Sequence, residues 1–405
     1  LMSEKRIYAA VPVDKGGAAA ACIISALGNR VSTELTGENG ALFDAAMCSF
    51  IVQAQAPELA ELGCTLIGRT FSDDTAPGEL ILRGEHLSFD EAEKSYLSTL
   101  ESVFPVYCGD TPGVSDIKPA EAPKKAALGA VRACRAPKIV HPRVLIPVFP
   151  GTNCEVDTAR AFEAAGAQCD IFVLRSRTAE QINESMEELA RRLKNANILM
   201  LPGGFSGGDE PDGSGKFIAT VLRNARVREQ VSELLEKRDG LAMGICNGFQ
   251  ALIKTGLLPY GRIDTVRPED PTLTFNTIGR HISAIARVRV CSVDSPWMSA
   301  CKSGEVYSVA LSHGEGRFAC SPEMLARLID NGQVITQYCD LEGHASGSGR
   351  CNLNGSVAAI EGIISPDGRV LGKMGHTERR DADVCVNVPG SYDMPLFESG
   401  VKYFL

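Results

Sequence analysis

From Arg143 onward the chain alternates uninterrupted apolar runs with amphipathic segments. Residues 144–149, 169–174, 198–201 and 241–245 are apolar at nearly every position, too short for buried helices and long enough for strands. Between them, 155–165, 179–193, 214–237 and 249–258 place apolar residues at helical spacing. A strand loses its in–out alternation only when both faces are covered, so this pattern predicts an α/β fold with a doubly wound, mostly parallel sheet. Beyond Pro259 alternation returns at 282–290, 306–311, 334–338, 357–364 and 370–374, predicting an antiparallel extension of that sheet. The first hundred residues differ: short strands at 7–13, 49–52, 64–69 and 79–84 mix with helices at 18–27, 57–62 and 89–104, a smaller α+β domain without a catalytic spacing. Between the blocks, Pro112, Pro119, Pro123, Pro137 and Pro142 punctuate a stretch with no apolar period. The predicted organisation is therefore 1–107, an extended surface linker at 108–142, and 143–405.

Ligands of open α/β sheets gather at the carboxyl ends of the strands. Three predicted strands end in the turn at Pro150-Gly151-Thr152-Asn153, the loop at Pro202-Gly203-Gly204-Phe205, and Gly244-Ile245-Cys246-Asn247-Gly248. The last has the form of a nucleophile elbow: a strand, a central residue framed by glycines two before and two after, then a helix. Such a corner is too crowded for flanking side chains. It lifts the central group to a helix N-terminus, where peptide N–H groups favour a thiolate. Cys246 is the expected nucleophile.

Composition narrows the classes. At 405 residues, 44% hydrophobic and 22% charged, the chain can bury more than one core. A net charge of −9 argues against nucleic acid as a partner. No apolar run nears the ~20 residues that span a bilayer, and residues 1–6 lack a signal-peptide core. The 14 cysteines form no Cys-x-x-Cys pair and no zinc spacing, so no metal is expected, and a reducing cytoplasm fits them. Leu1 precedes Met2, which fits a piece of a longer polypeptide.

A thiol nucleophile needs a base, a group orienting that base, and oxyanion donors. His376 follows the predicted strand 370–374, and Glu378 lies two residues on, on the same face of an extended segment. Glu378 can accept one imidazole N–H while the other nitrogen faces Cys246. His313, in Ser312-His313-Gly314-Glu315-Gly316, is the rival; its glycines suggest close approach of a ligand, so His313 is assigned to substrate binding. His86, His141, His281 and His344 lack this setting and read as structural or exposed. The expected oxyanion donors are the amide of Asn247 and one from Gly204 or Phe205 in the Gly203 loop. Gly213-Ser214-Gly215-Lys216-Phe217 lacks the residues of a phosphate loop.

These five ordered stretches, 149–155, 201–206, 244–250, 312–316 and 376–379, make residues 143–405 resemble the class I (triad) glutamine amidotransferases, whose sheet is flavodoxin-like. The likeness is greatest to the glutaminase domain of the phosphoribosylformylglycinamidine synthase family. In that family one proline precedes the histidine and another separates it from the glutamate; here Gly375 and Thr377 stand there, predicting a looser loop. Residues 1 to about 105 resemble the end of the second synthetase half of the long single-chain form. The resemblance implies that Cys246, His376 and Glu378 hydrolyse L-glutamine. Gly203, Gly204, Phe205, Asn247, Gln250, His313 and Glu315 would bind glutamine and its oxyanion. The ammonia would pass to synthetase modules of the same longer polypeptide for ATP-dependent conversion of formylglycinamide ribonucleotide to the amidine in purine biosynthesis. It implies no cofactor for this chain, with ATP and magnesium confined to those modules. Two other readings stand beside it: a stand-alone cysteine hydrolase or chaperone-like protein on the same sheet, and a catalytically silent docking module.

Overall fold

The computed structural model describes residues 4, 6–37, 42–44, 46, 48–55, 63–71, 78–119, 134–135, 138–206, 215–380, 384–385 and 388–405. The chain divides into two compact units, Leu1–Val106 and Tyr107–Leu405.

The first unit is α+β. Ile7–Pro12 pairs antiparallel with Phe50–Ala54. A four-stranded sheet runs in the order Gly68–Phe71, Ser32–Leu35, Glu79–Leu82, Glu85–Ser88. Helix Gly17–Asn29 buries Ala18, Ala19 and Cys22 against Leu35 and Leu42. Helix Phe89–Glu101 starts at a capping box in which the Ser88 side chain and Glu91 satisfy each other's backbone N–H groups. The apolar pattern does not predict Ser32–Leu35 or Glu85–Ser88: Ser-Thr-Glu-Leu and Glu-His-Leu-Ser carry no apolar run, and pairing alone makes them strands. The strand predicted at 64–69 lies at Gly68–Phe71. The helix predicted at 57–62 lies outside the described residues.

The second unit is built on one nine-stranded sheet. Its strands are β1 Arg143–Val148, β2 Gln168–Val173, β3 Ile198–Leu201, β4 Leu241–Ile245, β5 Ile282–Val290, β6 Val306–His313, β7 Val334–Tyr338, β8 Ile360–Ile364 and β9 Val370–Lys373. Their order is β6-β5-β7-β8-β9-β4-β3-β1-β2. The block β9-β4-β3-β1-β2 is parallel, and β8, β7, β5 and β6 follow antiparallel. The last strand of the expected antiparallel extension thus belongs to the parallel block: β9 runs beside β4, Ile245 opposite Lys373. That registration sets the turn leaving β9 next to the turn leaving β4. Helices α1 Glu155–Ala164, α2 Ala179–Leu193, α3 Lys216–Arg223, α4 Ala225–Ser232 and α5 Asn247–Thr255 connect the parallel strands. The single helix expected at 214–237 breaks at Asn224, whose extended backbone and side-chain bond to the Arg226 N–H cap α4. A single continuous core joins both faces of the sheet, including Phe162, Phe249, Trp297 and Phe397. No helix among the described residues is long and apolar enough to cross a membrane.

The expected linker is irregular, but its first part is fastened to the second unit. The Ile117 N–H donates to Gln337 Oε1 (2.9 Å), Arg289 Nη1 donates to the Ile117 carbonyl (3.1 Å), and Gln337 Nε2 donates to the carbonyls of Ser115 and Ala358. Asp110 and Asp116 accept the backbone N–H groups of Gly349 and Ala345. Cys108 and Ile117 are buried. Prolines forbid a regular ladder here, and side chains supply the bonds instead. Gln337 holds this segment, so Gln337→Leu is expected to destabilise the unit by about 3 kcal/mol, from buried groups left unpaired. Urea unfolding and amide exchange at 111–117 would read it; unchanged exchange there would show that the segment is held by other contacts.

Candidate active site

The corner after β4 takes the geometry that its sequence demands. Cys246 lies at φ 52°, ψ −106°, between the last residue of β4 and the first of α5. Side chains rarely occupy that backbone region, at about 1–3 kcal/mol. A Cβ at Gly244 would come within 2.6 Å of the Gly248 backbone, and one at Gly248 would overlap the Leu201 carbonyl oxygen of β3. Both glycines are therefore required by contact. The Cys246 N–H is held by the Lys373 carbonyl at 2.8 Å. The thiol is 3% exposed and borders the apolar core; its S–H points to the Ser312 carbonyl at 3.9 Å.

His376 follows β9, its N–H bonded to the Ala310 carbonyl. Its Nδ1 donates to Glu378 Oε1 at 2.5 Å, and its Nε2 is buried without a partner. Both side chains are buried. Burial alone would lower the imidazole's pKa. The Glu378 carboxylate outweighs burial, with further support from the nearby sulfurs of Cys154 and Cys246, and holds it well above its ordinary 6.5. Burial likewise works against the Glu378 charge, but the imidazolium draws its pKa below 4.5. Each partner favours the charged form of the other.

The loops after β1 and β3 close the third side. The Asn153 N–H donates to the Gly203 carbonyl and the Phe205 N–H to the Gly151 carbonyl (2.8 Å), bridging the two loops. The Phe205 amide is thus engaged and cannot serve an oxyanion; the bridge leaves the Gly204 amide out of its bonds. Gly204 holds φ 142°, and a Cβ there would press on Gly151 and Thr152. Gly203 has a different duty: a Cβ would come within 2.6 Å of His376 Cε1, so its bareness makes room for the imidazole.

The side-chain amide of Gln250 is engaged at both of its polar atoms. The Ser206 N–H donates to Asn247 Oδ1, Asn247 Nδ2 to Gln250 Oε1, and Gln250 Nε2 to the Glu315 carbonyl. Gln250 is a buried strut tying α5 to the 312–316 loop. His313 lies against Gly316, its Nδ1 beside Asn276 Oδ1 at 3.2 Å and its Nε2 buried without a partner. Burial, then the nearby His376 and His281, push its pKa down to about 3, so it stays neutral. Glu315 is buried in the same loop.

Sequence reasoning missed Cys154. Its buried sulfur lies 3.8 Å from His376 Nδ1, donates to Asn153 Oδ1 (3.1 Å) and accepts from Arg379 Nη2 (3.3 Å). Cys154, His376 and Glu378 group their ligand atoms within 4.8 Å, the one such set among the described residues. The Arg379 guanidinium on the sulfur opposes a divalent cation there, so the group reads as hydrogen-bonded chemistry. All fourteen cysteines are free. Burial pushes Cys22 and Cys320 up to about 11, and Cys169, Cys291, Cys301 and Cys339 up to about 12, so these are inert packing residues.

Residues 141–404 match the sequence family described as CobB/CobQ-like glutamine amidotransferase domain. The chain is 37% identical over 258 residues to the phosphoribosylformylglycinamidine synthase subunit PurQ of Symbiobacterium thermophilum, covering 64% of this chain and 95% of that protein. It is 34% identical over 250 residues to the subunit of the same name from Methanococcus maripaludis, covering 59% of this chain and 83% of that one. Among solved structures, PurLQS from Thermotoga maritima aligns with a TM-score of 0.47 at 26% identity, over 65% of this chain and 100% of that one.

The ion pair has a pH signature. His376's raised pKa gives stability that is full below 6.5 and is lost as pH rises through the folded value. Glu378's lowered pKa gives stability that is full above 4.5 and is lost as pH falls through its folded value. Glu378→Gln should therefore lose most, about 3 kcal/mol, between pH 4.5 and 6.5, and progressively less in alkali. Thermal melts of both proteins across pH 4–10 measure it; a difference independent of pH would show the pair to be uncharged.

Proposed function

The chain belongs to the CobB/CobQ-like glutamine amidotransferase family, a PurQ-like enzyme, and on that premise we propose that Cys246, His376 and Glu378 form its catalytic triad. The observation that carries this is the strained cysteine at a corner framed by Gly244 and Gly248, with a buried carboxylate-paired imidazole beside it.

In this mechanism the reacting form is a thiolate–imidazolium pair: the proton of Cys246 already resides on His376 Nε2, the nitrogen left free by Glu378, and Cys246 Sγ attacks the side-chain amide carbon of L-glutamine as the thiolate. The developing oxyanion is met by the amide of Asn247, which as the first residue of α5 has no carbonyl four residues back in its helix, and by that of Gly204. The carbon–nitrogen bond then breaks as Nε2 returns a proton to the leaving ammonia, giving a γ-glutamyl thioester. Water attacks the thioester with its proton taken by Nε2, and glutamate leaves as the thiol is restored. Neutral His313 and Glu315 line the substrate side, with Gln250 bracing them, and Gly203 accommodates the ring.

The finer assignment follows the relatives' name. The ammonia goes to synthetase modules, where ATP with magnesium converts formylglycinamide ribonucleotide to its amidine in purine biosynthesis. Residues 1–107 are then the end of such a module in a longer cytoplasmic polypeptide, with 108–142 the connection. The chain itself needs no cofactor for its half of the reaction.

The test is labelling with a diazo-ketone analogue of glutamine. The adduct should map to Cys246, be blocked by glutamine and vanish in Cys246→Ala together with glutamate release; labels scattered over other cysteines without protection would defeat the proposal. His376→Asn should abolish turnover, by about 10³-fold or more, while retaining some alkylation of Cys246. Equal kinetics in that variant would move the base elsewhere.

A further inference from the structure

Gly375, immediately before His376, is gripped at both of its backbone groups by one buried ion pair. Lys373 at the end of β9 and Glu361 in β8 meet at 3.1 Å, both side chains fully shielded from solvent. Glu361 Oε1 accepts the Gly375 N–H at 2.6 Å, and Lys373 Nζ donates to the Gly375 carbonyl at 2.8 Å. The second Glu361 oxygen is held by the Thr336 hydroxyl of β7 at 2.5 Å. The Glu361 carbonyl also accepts the Met374 N–H. A Cβ on Gly375 would meet Val309 Cγ2 at 2.5 Å and Glu361 Oε1 at 2.9 Å, so glycine lets the carboxylate come this close.

Two opposite charges in the middle of a sheet are weak evidence of stability, since apolar replacements of similar volume often serve a fold equally well. What they do supply is direction. Charge-assisted bonds are roughly twice as strong as neutral ones, and here both end on the residue that precedes the imidazole, one on each of its two peptide units. Lys373 has a second link to the site, because its carbonyl holds the Cys246 N–H. Two neighbouring strands and the nucleophile are thereby tied to one point.

We propose that Lys373 and Glu361 are positioning residues for the glutaminase reaction, a buried clamp on Gly375 that fixes the imidazole of His376 between Cys246 and Glu378. The inference rests on the proposed triad. It also replaces the looser loop expected from Gly375: the rigidity comes from charge.

The test uses the whole chain and two double variants, because a single substitution would bury an unpaired charge. Lys373→Met/Glu361→Leu removes the clamp, and Lys373→Met/Glu361→Gln keeps one acceptor for the Gly375 N–H. With both variants folded by circular dichroism and melting, the first should lower kcat for glutamate release about 100-fold at a KM within about threefold, and the second less. Carbon-13 histidine NMR supplies a readout that does not need turnover. The His376 resonance, assigned by its loss in His376→Asn, should show proton affinity falling about tenfold in the Met/Leu variant as the ring drifts from Glu378. The charged and titratable groups around that ring are Glu378, Cys154, Cys246, His313 and Arg379, none of them altered. A folded Met/Leu variant with the wild-type imidazole titration would overturn the clamp while leaving the triad intact. Full turnover in His376→Asn would instead overturn the triad.

Discussion

Cys246 can hold its strained backbone only because nothing projects from Gly244 or Gly248, so that α5 packs directly on the end of β3. Strain of this kind persists where the surroundings overdetermine it. Here they do: β4 is hydrogen-bonded on both sides to parallel strands, its last residue is opposite Lys373, and the Cys246 N–H is fixed by the Lys373 carbonyl. Parallel registration delivers the ends of β1, β3, β4 and β9 to one edge. The loops there contact one another as a consequence: Asn153 with Gly203, Phe205 with Gly151, His376 over Gly203.

Around that corner, buried charge is arranged in two layers. His376 and Glu378 form the inner pair, and Lys373 and Glu361 stand behind the turn that carries them. The outer pair has its remaining capacity tied to backbone and hydroxyl groups, whereas the inner pair leaves Nε2 of His376 and Oε2 of Glu378 without partners. An unpartnered buried nitrogen is unfavourable in a resting protein and useful in a reacting one, since it is the atom free to exchange a proton with a substrate.

Much of this was legible in the sequence because it rests on local patterns. The continuous apolar runs identified the parallel strands, the glycines at 244 and 248 identified the elbow, and two-residue spacing put His376 and Glu378 on one side. What escaped depends on pairing across the sheet. Ser32–Leu35 becomes a strand through its neighbours, and Asn224 divides a helix whose periodicity continues across the break. The bonds of Phe205 to Gly151 and of Gln250 to Glu315 could not be foreseen, since those partners are far apart in sequence. Lys373 and Glu361 did leave a trace: each is a lone charge inside an otherwise apolar strand. A strand buried on both faces admits such a residue only with a partner, and two opposite ones in consecutive strands point to each other.

The two sulfurs near His376 can be told apart by which nitrogen they approach. Cys154 lies on the Nδ1 side, where Glu378 already accepts the proton, and its own lone pairs and S–H are engaged by Arg379 and Asn153. It precedes α1 with an ordinary negative φ, without the raised corner of an elbow. A base whose Nδ1 is committed to a carboxylate exchanges protons through Nε2 alone, so a thiol on the Nδ1 side can bear on the ring's position and charge but cannot hand it a proton. Cys246 is next to the Asn247 amide and directly follows β4, the strand adjoining the one that ends in the Gly204 loop. In the proposed mechanism only an attack from Cys246 develops the negative oxygen of the substrate within reach of both donors, which leaves Cys154 a packing partner of His376.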